Sequence, residues 1–448
     1  MVQEVVFIKK QKAILDNIGF NIKIERKNQN IKQAALAKGI CSISYLSKIE
    51  NGKILPNEDI VELLLRRLNI EIIEVCSKEE DDIISSLLEL YKEGLLYRNQ
   101  NLIRKQLPKF IDIKFRFQET DNLYLYHLLM FRLLLITNDN STDYESKIIQ
   151  LKSIENKLSE KLKFIYYFNL ALYYYSLNDN PNLVSYFKKS LRQKEYVMLH
   201  EWENADFYNA LSLFYLKGRD YFNVVKYSSM ALEYYKDNHY FERIIDGSIV
   251  LGIAQRNLLE FKNAEVNFSA AYKLTKRLNL SIYNGMIHHN FGALYSAQGN
   301  CEEAIKNFEK SFSYKQENSQ LSTSFSTILC IIREYSKQGD SSNVLKWCNI
   351  GIDLLNDNCE LKTFFHSYFF HFNVYRAKYS AYADYEIVLK KSVKYFKKIK
   401  DYRYVQKYSM MLGDYYRNQS KYKAASLYYQ YSSLSALKQK KITSVEDL

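Results

Sequence analysis

The chain has 448 residues, of which 47% are hydrophobic, so it is too long for one compact domain and rich enough in apolar residues for a buried core. Only 3 prolines and 13 glycines occur over this length, so few positions can break a helix or form a turn. The net charge of +13 is compatible with a polyanionic partner, but residues 1–75 hold only 12 basic against 9 acidic residues. The composition therefore predicts an almost entirely helical protein, and its charge fits solubility as well as it fits nucleic-acid binding.

Cysteine usage and hydropathy exclude several classes of protein. The cysteines show neither a C-x-x-C motif nor histidines at zinc spacing, which indicates free thiols in a reducing compartment and no metal or cofactor site. They are Cys41, Cys76, Cys301, Cys330, Cys348 and Cys359. No apolar run is long enough for a signal peptide or for a membrane span of about 18–20 residues. We therefore expect a cytoplasmic protein with no membrane association.

The first elements in chain order are short helices within residues 15–70. Apolar spacing predicts helices over residues 16–28, 31–38, 43–50 and 56–68. Gly39 supplies the sharp turn after the second helix, Ser42 can cap the third, and Asn51 with Gly52 ends it. A helix, a glycine turn and a second helix with exposed polar positions have the spacing of a helix-turn-helix.

Motifs along this segment make the match more specific. The segments GFNIKIER at residues 19–26, QAALA at residues 33–37 and YLSKIENGK at residues 45–53 resemble the Xre/phage-repressor family of helix-turn-helix domains. The resemblance implies that the helix over residues 43–50 is the reading helix in the DNA major groove. It also implies an ion pair between Arg26 and Glu50 that ties the first helix to the end of the third.

The resemblance implies DNA-contacting roles for eight residues, which are Gln33 on the phosphate backbone, Ser42, Ile43, Ser44, Ser47 and Lys48 on the reading face, and Asn51 and Lys53 on phosphates beyond the helix. Ser44 and Lys48 are four residues apart, so both can face the groove, where Lys48 can donate to guanine. A solvated surface lysine is the alternative for Lys48. Because the reading face carries short serines, specificity is expected to depend also on water and DNA shape.

From about residue 79 onward the sequence repeats with a period of roughly 40 residues, which is typical of a solenoid. The clearest unit is residues 288–312, with Gly292 in a first helix, Gly299-Asn300 in the turn, and Ala304 and Phe308 in a second helix. This unit resembles the tetratricopeptide repeat. The sequence therefore predicts an all-α fold, with an N-terminal helix-turn-helix domain followed by a right-handed α-solenoid of the tetratricopeptide type.

Asparagines recur in one register of this array. Asn169, Asn209 and Asn290 lie two residues before the small-residue position of their first helices and are 40 and 81 residues apart. An amide both donates and accepts, so such a set can hold the backbone of an extended peptide. Asparagine is common in this chain, and coincidence is the alternative. Arg256 and His289 are expected on the same groove, where Arg256 suits a peptide carboxylate or an acidic partner.

The combined architecture resembles the RRNPP regulators of Gram-positive bacteria, receptors for short secreted peptide pheromones. The resemblance implies a quorum-sensing transcriptional regulator, with residues 1–72 binding DNA (core 15–70), a linker at 73–80, a peptide-binding and dimerising array at 81–437 and a charged tail at 438–448. Expected partners are a palindromic double-stranded operator, a short linear peptide and a second copy of the chain. The alternative is a regulator whose array binds another protein, such as a response regulator or an anti-repressor. Catalytic motifs such as G-x-S-x-G or H-E-x-x-H are absent from the sequence, so an enzyme is not expected.

Overall fold

A computed structural model of the protein describes residues 18–27, 29–54, 56–69, 77–113, 117, 119–138, 143–380 and 384–439. Throughout these ranges the regular secondary structure is helical, and no strand occurs in them. The predicted start of the first helix, Cys76, residues 73–76 of the predicted linker and the tail from residue 440 lie outside the described residues. Contacts divide the chain into unit 1, residues 1–247, and unit 2, residues 248–448.

Unit 1 begins with the four helices of the N-terminal domain, which are α1 (residues 18–27), α2 (Gln33–Ala37), α3 (Ile43–Glu50) and α4 (Glu58–Arg67). Asn57 caps α4, because its side-chain oxygen accepts from the Asp59 amide at 3.2 Å. The core beneath these helices contains Ile22, Leu36, Leu46 and Leu64, each with no exposed surface. The bounds of α3 are those the sequence predicts, whereas α2 is shorter than the predicted 31–38.

The rest of unit 1 is also helical, and its helices are α5 (Ser77–Leu96), α6 (Gln100–Gln106), a 3-10 helix (Leu107–Ile113), α7 (Thr120–Thr137), α8 (Tyr144–Lys152), a 3-10 turn (Glu155–Lys157), α9 (Glu160–Ser176), α10 (Asn180–Lys194), α11 (Glu201–Gly218) and α12 (Tyr221–Asp237). α5 begins inside the segment predicted as a linker. From α9 onward the helices form consecutive antiparallel pairs, in which α9 packs on α10 and α11 on α12.

The helix α13 (Phe241–Asn257) runs across residues 247 and 248, and unit 2 continues the pairwise arrangement. Its helices are α14 (Phe261–Arg277), a 3-10 turn (Ser281–Tyr283), α15 (Asn284–Ala297), α16 (Cys301–Glu317), α17 (Leu321–Gln338), α18 (Ser341–Asn356), α19 (Cys359–Phe364), α20 (His366–Tyr379), α21 (Tyr385–Lys398), α22 (Tyr402–Asn418) and α23 (Tyr422–Gln439). The pairs are α15 with α16, α17 with α18, α20 with α21 and α22 with α23.

The clearest predicted repeat shows why two helices of a pair approach closely. A Cβ atom on Gly292 would lie 2.6 Å from Cδ1 of Phe308, so only glycine lets this ring lie against the backbone of α15. Gly299 has a φ of +81° in the turn, and the Asn300 side chain caps α16 by accepting from the Glu303 amide at 3.2 Å. The predicted fold class is confirmed: the protein is all-α, with a helix-turn-helix followed by tetratricopeptide-like helix pairs.

Hydropathy along these helices bears on membrane association. Among the residues that the structure describes, none of the helices combines the length and the apolar character needed to span a bilayer.

Candidate functional site

Helix α3, which is predicted to be the reading helix, presents a polar edge to solvent and an apolar edge to the core. Ser42 caps the helix, because its Oγ accepts from the Tyr45 amide at 3.1 Å. Ser44 and Lys48 are exposed one turn apart, and Ile43 keeps 52% of its surface exposed at the helix start. Leu46 and Ile49 are buried on the opposite side. α3 therefore combines a fixed inner side with an outer side that is free to meet a major groove.

A buried ion pair fixes the end of α3 to α1. Arg26 donates through Nε and Nη2 to the two carboxylate oxygens of Glu50, at 2.6 and 2.9 Å, and both residues are buried. The Nη1 atom of Arg26 also donates to the Ile31 carbonyl at 2.8 Å. Gln33 donates through Nε2 to the same carboxylate at 2.7 Å. Residues from α1, α2 and α3 thus share one carboxylate, which sets the angle of the reading helix relative to the rest of the domain.

The two residues predicted to meet phosphates after α3 differ in how they are held. The Asn51 amide donates to the Ser47 carbonyl at 2.7 Å, and its oxygen accepts from Lys23 Nζ at 2.8 Å. Burial, followed by the charge of Lys27, lowers the pKa of Lys23. Lys53 is exposed, and its backbone amide donates to the Lys48 carbonyl at 2.8 Å. The Lys53 side chain is therefore available to an anion, whereas the Asn51 side chain is held at both its nitrogen and its oxygen and has only its second N–H to offer.

Helix α1 also packs against the helices that follow the domain. The ring of Phe20 lies edge-on to Tyr124 and His127 of α7, with centroid distances of 5.7 and 5.4 Å. Phe20, Ile24 and Tyr124 are buried together in the core cluster of unit 1. A single helix thus contacts both the reading helix, through Arg26, and the first long helices of the array.

The three asparagines of the predicted peptide site do not share one environment. In unit 1, Asn169 is buried, and its amide donates to the Leu128 carbonyl of α7 at 2.8 Å. Asn209 of α11 is half-buried. In unit 2, Asn290 is buried and donates to the Met286 carbonyl of its own helix at 2.9 Å. The shared register fixes their places on the first helices, but the neighbouring helix decides what each amide meets.

The other two predicted groove residues lie on neighbouring first helices of unit 2. The Nδ1 atom of His289 lies 3.0 Å from the Thr327 hydroxyl of α17. Burial, with Lys315 and Arg256 nearby, lowers the pKa of His289 to about 3, so its ring is neutral at physiological pH. Arg256 is half-buried on α13. Two cationic side chains, Arg256 and Lys315, therefore lie near a histidine that adds no charge of its own.

Sequence reasoning did not single out a second basic group further along unit 2. Arg333 of α17 and Lys407 of α22 lie among tyrosines, with Lys407 donating to the Tyr375 hydroxyl at 2.8 Å. Arg333 falls in one of the less regular repeats, and the two residues are far apart in sequence, so spacing gave no signal. Among the residues that the structure describes, no group of histidine, cysteine and acidic side chains is placed to hold a metal ion.

Comparisons with known proteins agree with this arrangement. A family model described as Helix-turn-helix matches residues 22–75. The transcriptional activator NprA of Geobacillus stearothermophilus is 30% identical over 404 residues, which cover 89% of this chain and 98% of that protein.

Solved structures show a similar fold. The apo form of the quorum sensor NprR from B. thuringiensis superposes with a TM-score of 0.66 at 18% identity, covering 80% of this chain and 99% of that one. NprR in complex with its cognate peptide NprX gives a TM-score of 0.56 at 16% identity, covering 79% and 98%.

The relationship to a transcriptional activator over nearly the whole chain places this protein among DNA-binding regulators rather than enzymes. The chain belongs to the RRNPP-type regulators, in which an Xre-type helix-turn-helix is joined to a tetratricopeptide-like helical array.

Proposed function

We propose that the protein is a cytoplasmic transcriptional regulator that binds operator DNA through α3 and is controlled by a short signalling peptide held by its repeat array. The observation that carries the DNA-binding half is the construction of α3, with Ile43, Ser44 and Lys48 exposed and Glu50 held by two other helices. The peptide-binding half is supported by membership of the family and by a fold shared with NprR, which was solved with its cognate peptide.

On DNA, each exposed group of α3 has a distinct use. Lys48 can donate to O6 and N7 of guanine, Ile43 can contact a thymine methyl, and Ser44 and Ser47 can bond bases directly or through water. Lys53 can contact the phosphates that flank the groove. Because the Gln33 and Asn51 amides each already donate one N–H within the protein, their phosphate contacts would use the second N–H.

The DNA test compares one reading lysine with one distant lysine. The wild-type chain first selects its preferred duplex from a random DNA pool. Lys48→Ala should then weaken binding to that duplex by about 1–3 kcal/mol and leave binding to random DNA nearly unchanged. The control is Lys105→Ala, an exposed lysine on α6, which should bind like the wild type. Equal losses on both DNAs would make Lys48 a phosphate contact and would contradict its role in base reading.

We propose that two copies assemble through their arrays and read a palindromic operator, with reading helices at half-sites about one helical turn apart. A peptide can change this binding only through unequal affinity for two arrangements of the protein. α1 offers a path for such a change within unit 1, because Phe20 packs on α7 while Arg26 holds α3.

The peptide-binding half of the proposal is best tested at Asn209. Asn209→Ala should weaken peptide binding and leave DNA binding in the absence of peptide unchanged, since no other part of the described protein depends on its half-buried amide. Asn238→Ala, at the exposed end of α12, is the matched control. The peptides to test are the C-terminal segments of small secreted proteins encoded beside the gene. Calorimetry measures their affinity for each of the two variants. Unchanged affinity in Asn209→Ala would remove this residue from the site.

A further inference from the structure

Two half-buried cations of unit 2 have no acidic partner among the residues that the structure describes. Arg333 donates through Nη2 to the Tyr404 hydroxyl at 3.4 Å, while its Nε atom is fully buried and has no hydrogen-bond partner. Lys407 donates to the Tyr375 hydroxyl at 2.8 Å. Neither cation forms an ion pair with a carboxylate in the part of the chain that the structure describes. The site is therefore rich in positive charge that the protein itself does not balance.

The positive charges of Arg333 and Lys407 also act on each other and on the nearby His371. Burial, followed by Arg333 and Lys378, lowers the pKa of Lys407 to about 8. Burial, with Arg333, Lys407 and Arg403 nearby, lowers the pKa of His371. A buried cation beside another cation is costly unless a counter-charge is supplied. These shifts indicate that an anion at this place would be strongly stabilised.

The buried arginines elsewhere in the described chain have hydrogen-bond acceptors for their guanidinium groups. Arg26 bonds Glu50, and Arg132 bonds Asp206 at 2.6 Å. Arg243 donates from both Nε and Nη2 to one backbone carbonyl. Against this pattern, the half-buried Arg333 guanidinium is an exception, because its Nε atom has no partner among the described residues and its other contacts are to the phenols of Tyr404 and Tyr375. Exceptions of this kind call for a partner that is supplied from outside the chain.

The side chains around the two cations can donate hydrogen bonds to a planar anion. The hydroxyls of Tyr375 and Tyr404 lie beside the cations, and the Tyr404 ring lies 4.1 Å from the buried ring of His371. Phenol groups can donate to a carboxylate, and a guanidinium binds the two oxygens of a carboxylate side by side. Arg333, Lys407 and Tyr404 retain partial exposure, so the site can be reached.

We propose that Arg333 of α17 and Lys407 of α22, lined by Tyr375 and Tyr404, form a carboxylate-binding site for the signalling peptide. This inference rests on the proposed peptide-controlled function and names the group that anchors the peptide in unit 2. The carboxylate is either the peptide's C-terminus or an acidic side chain, since both present the same planar group.

The test uses the full chain and two pools of random short synthetic peptides, one with free C-terminal carboxylates and one with amidated C-termini. Peptides retained by the wild type are identified, and their dissociation constants are measured on Arg333→Gln, Lys407→Gln and the control Lys346→Gln, an exposed lysine on α18. We expect each of the first two variants to weaken binding at least about tenfold, as loss of a charge-assisted hydrogen bond does, and the control to have no effect.

The two pools distinguish the sources of the carboxylate. If the C-terminus is the anchor, amidation weakens binding to the wild type but has little further effect on Arg333→Gln. If an acidic side chain is the anchor, amidation is neutral, and replacing that aspartate or glutamate by its amide reproduces the loss. If the retained peptides bind Arg333→Gln and Lys407→Gln as tightly as they bind the wild type, the inference is wrong but the proposed function is not affected. If the wild type retains no peptide, the proposed function fails and the inference fails with it.

A ligand-free measurement separates a binding role from a structural one. Because the two cations repel each other, Lys407→Gln without peptide should melt at or above the temperature of the wild type. A clearly lower melting temperature together with unchanged peptide affinity would make Lys407 a structural residue and would refute the proposal.

Discussion

Removing the carboxylate of Glu50 should loosen the reading helix more than any surface change in the N-terminal domain. Glu50→Ala leaves the buried Arg26 guanidinium with only the Ile31 carbonyl as acceptor and leaves Gln33 without the acceptor of its amide. Breaking one side of a buried ion pair costs about 3–5 kcal/mol, because the remaining charge stays buried and unbalanced. The expected cost therefore lies in that range.

Hydrogen exchange of the full chain measures this cost locally. A loss of about 3–5 kcal/mol corresponds to a fall in protection of roughly a hundredfold to several thousandfold for amides of α1 and α3, up to the limit set by their protection in the wild type. Protection in α20 and α22 of unit 2 should not change. The matched control is Glu62→Ala, which removes the exposed partner of Arg66 on α4 and should cost no more than about 0.5 kcal/mol.

The double variant Arg26→Met with Glu50→Leu tests the physical reason. Replacing both charges by apolar side chains removes the unbalanced charge, so most of the lost protection should return. If Glu50→Ala costs less than about 1 kcal/mol, or if the double variant is as unprotected as the single one, the buried ion pair is not what fixes α3 to α1.

Two further predictions concern the array. Gly292→Val places a side chain 2.6 Å from Phe308 and should destabilise unit 2 by about 1–3 kcal/mol in hydrogen exchange, whereas Gly218→Ala, whose Cβ meets no atom within 4 Å, should be neutral or slightly stabilising. His289 and His371 have pKa values lowered to about 3 and about 2, mainly by burial, against about 6.5 in an unfolded chain. The unfolded chain therefore binds more protons below about pH 6.5, and each histidine should cost about 2 kcal/mol of stability at pH 5 relative to neutral pH. His371→Asn should remove the contribution of His371 to this loss of stability. An unchanged dependence of stability on pH would contradict the burial argument.

The sequence predicted best those features that depend on neighbours along the chain. The bounds of α3 follow from Ser42 as its cap and Asn51-Gly52 as its stop, both of which are local signals. The close approach of α15 and α16 follows from a glycine opposite an aromatic ring at repeat spacing. Such patterns need no knowledge of distant contacts, so they can be read before the fold is known.

The sequence could not predict how the functional side chains are satisfied. Asn169 and Asn290 occupy one register, yet Asn169 donates to a neighbouring helix and Asn290 to its own. Arg333 and Lys407 come together only through contacts between helices that are far apart in sequence, since Arg333 of α17 bonds Tyr404 of α22 and Lys407 of α22 bonds Tyr375 of α20. Whether a basic residue is paired depends on side chains from other helices, and repeat spacing alone carries no such information.

The bond from Asn169 to α7 gives the array a physical connection to the reading helix within unit 1. A ligand that accepts the N–H now donated by Asn169 has to replace its 2.8 Å bond to the Leu128 carbonyl. The same helix α7 carries the aromatic residues against which Phe20 of α1 packs, and α1 holds α3 through Arg26. Since packed helices move as units between discrete arrangements rather than deforming continuously, a change in how α7 is held would be passed to α3 as a change of angle. A peptide that exchanges the Asn169 bond therefore acts on the element that positions the DNA-reading residues, whereas one anchored only at Arg333 would gain affinity without using this connection.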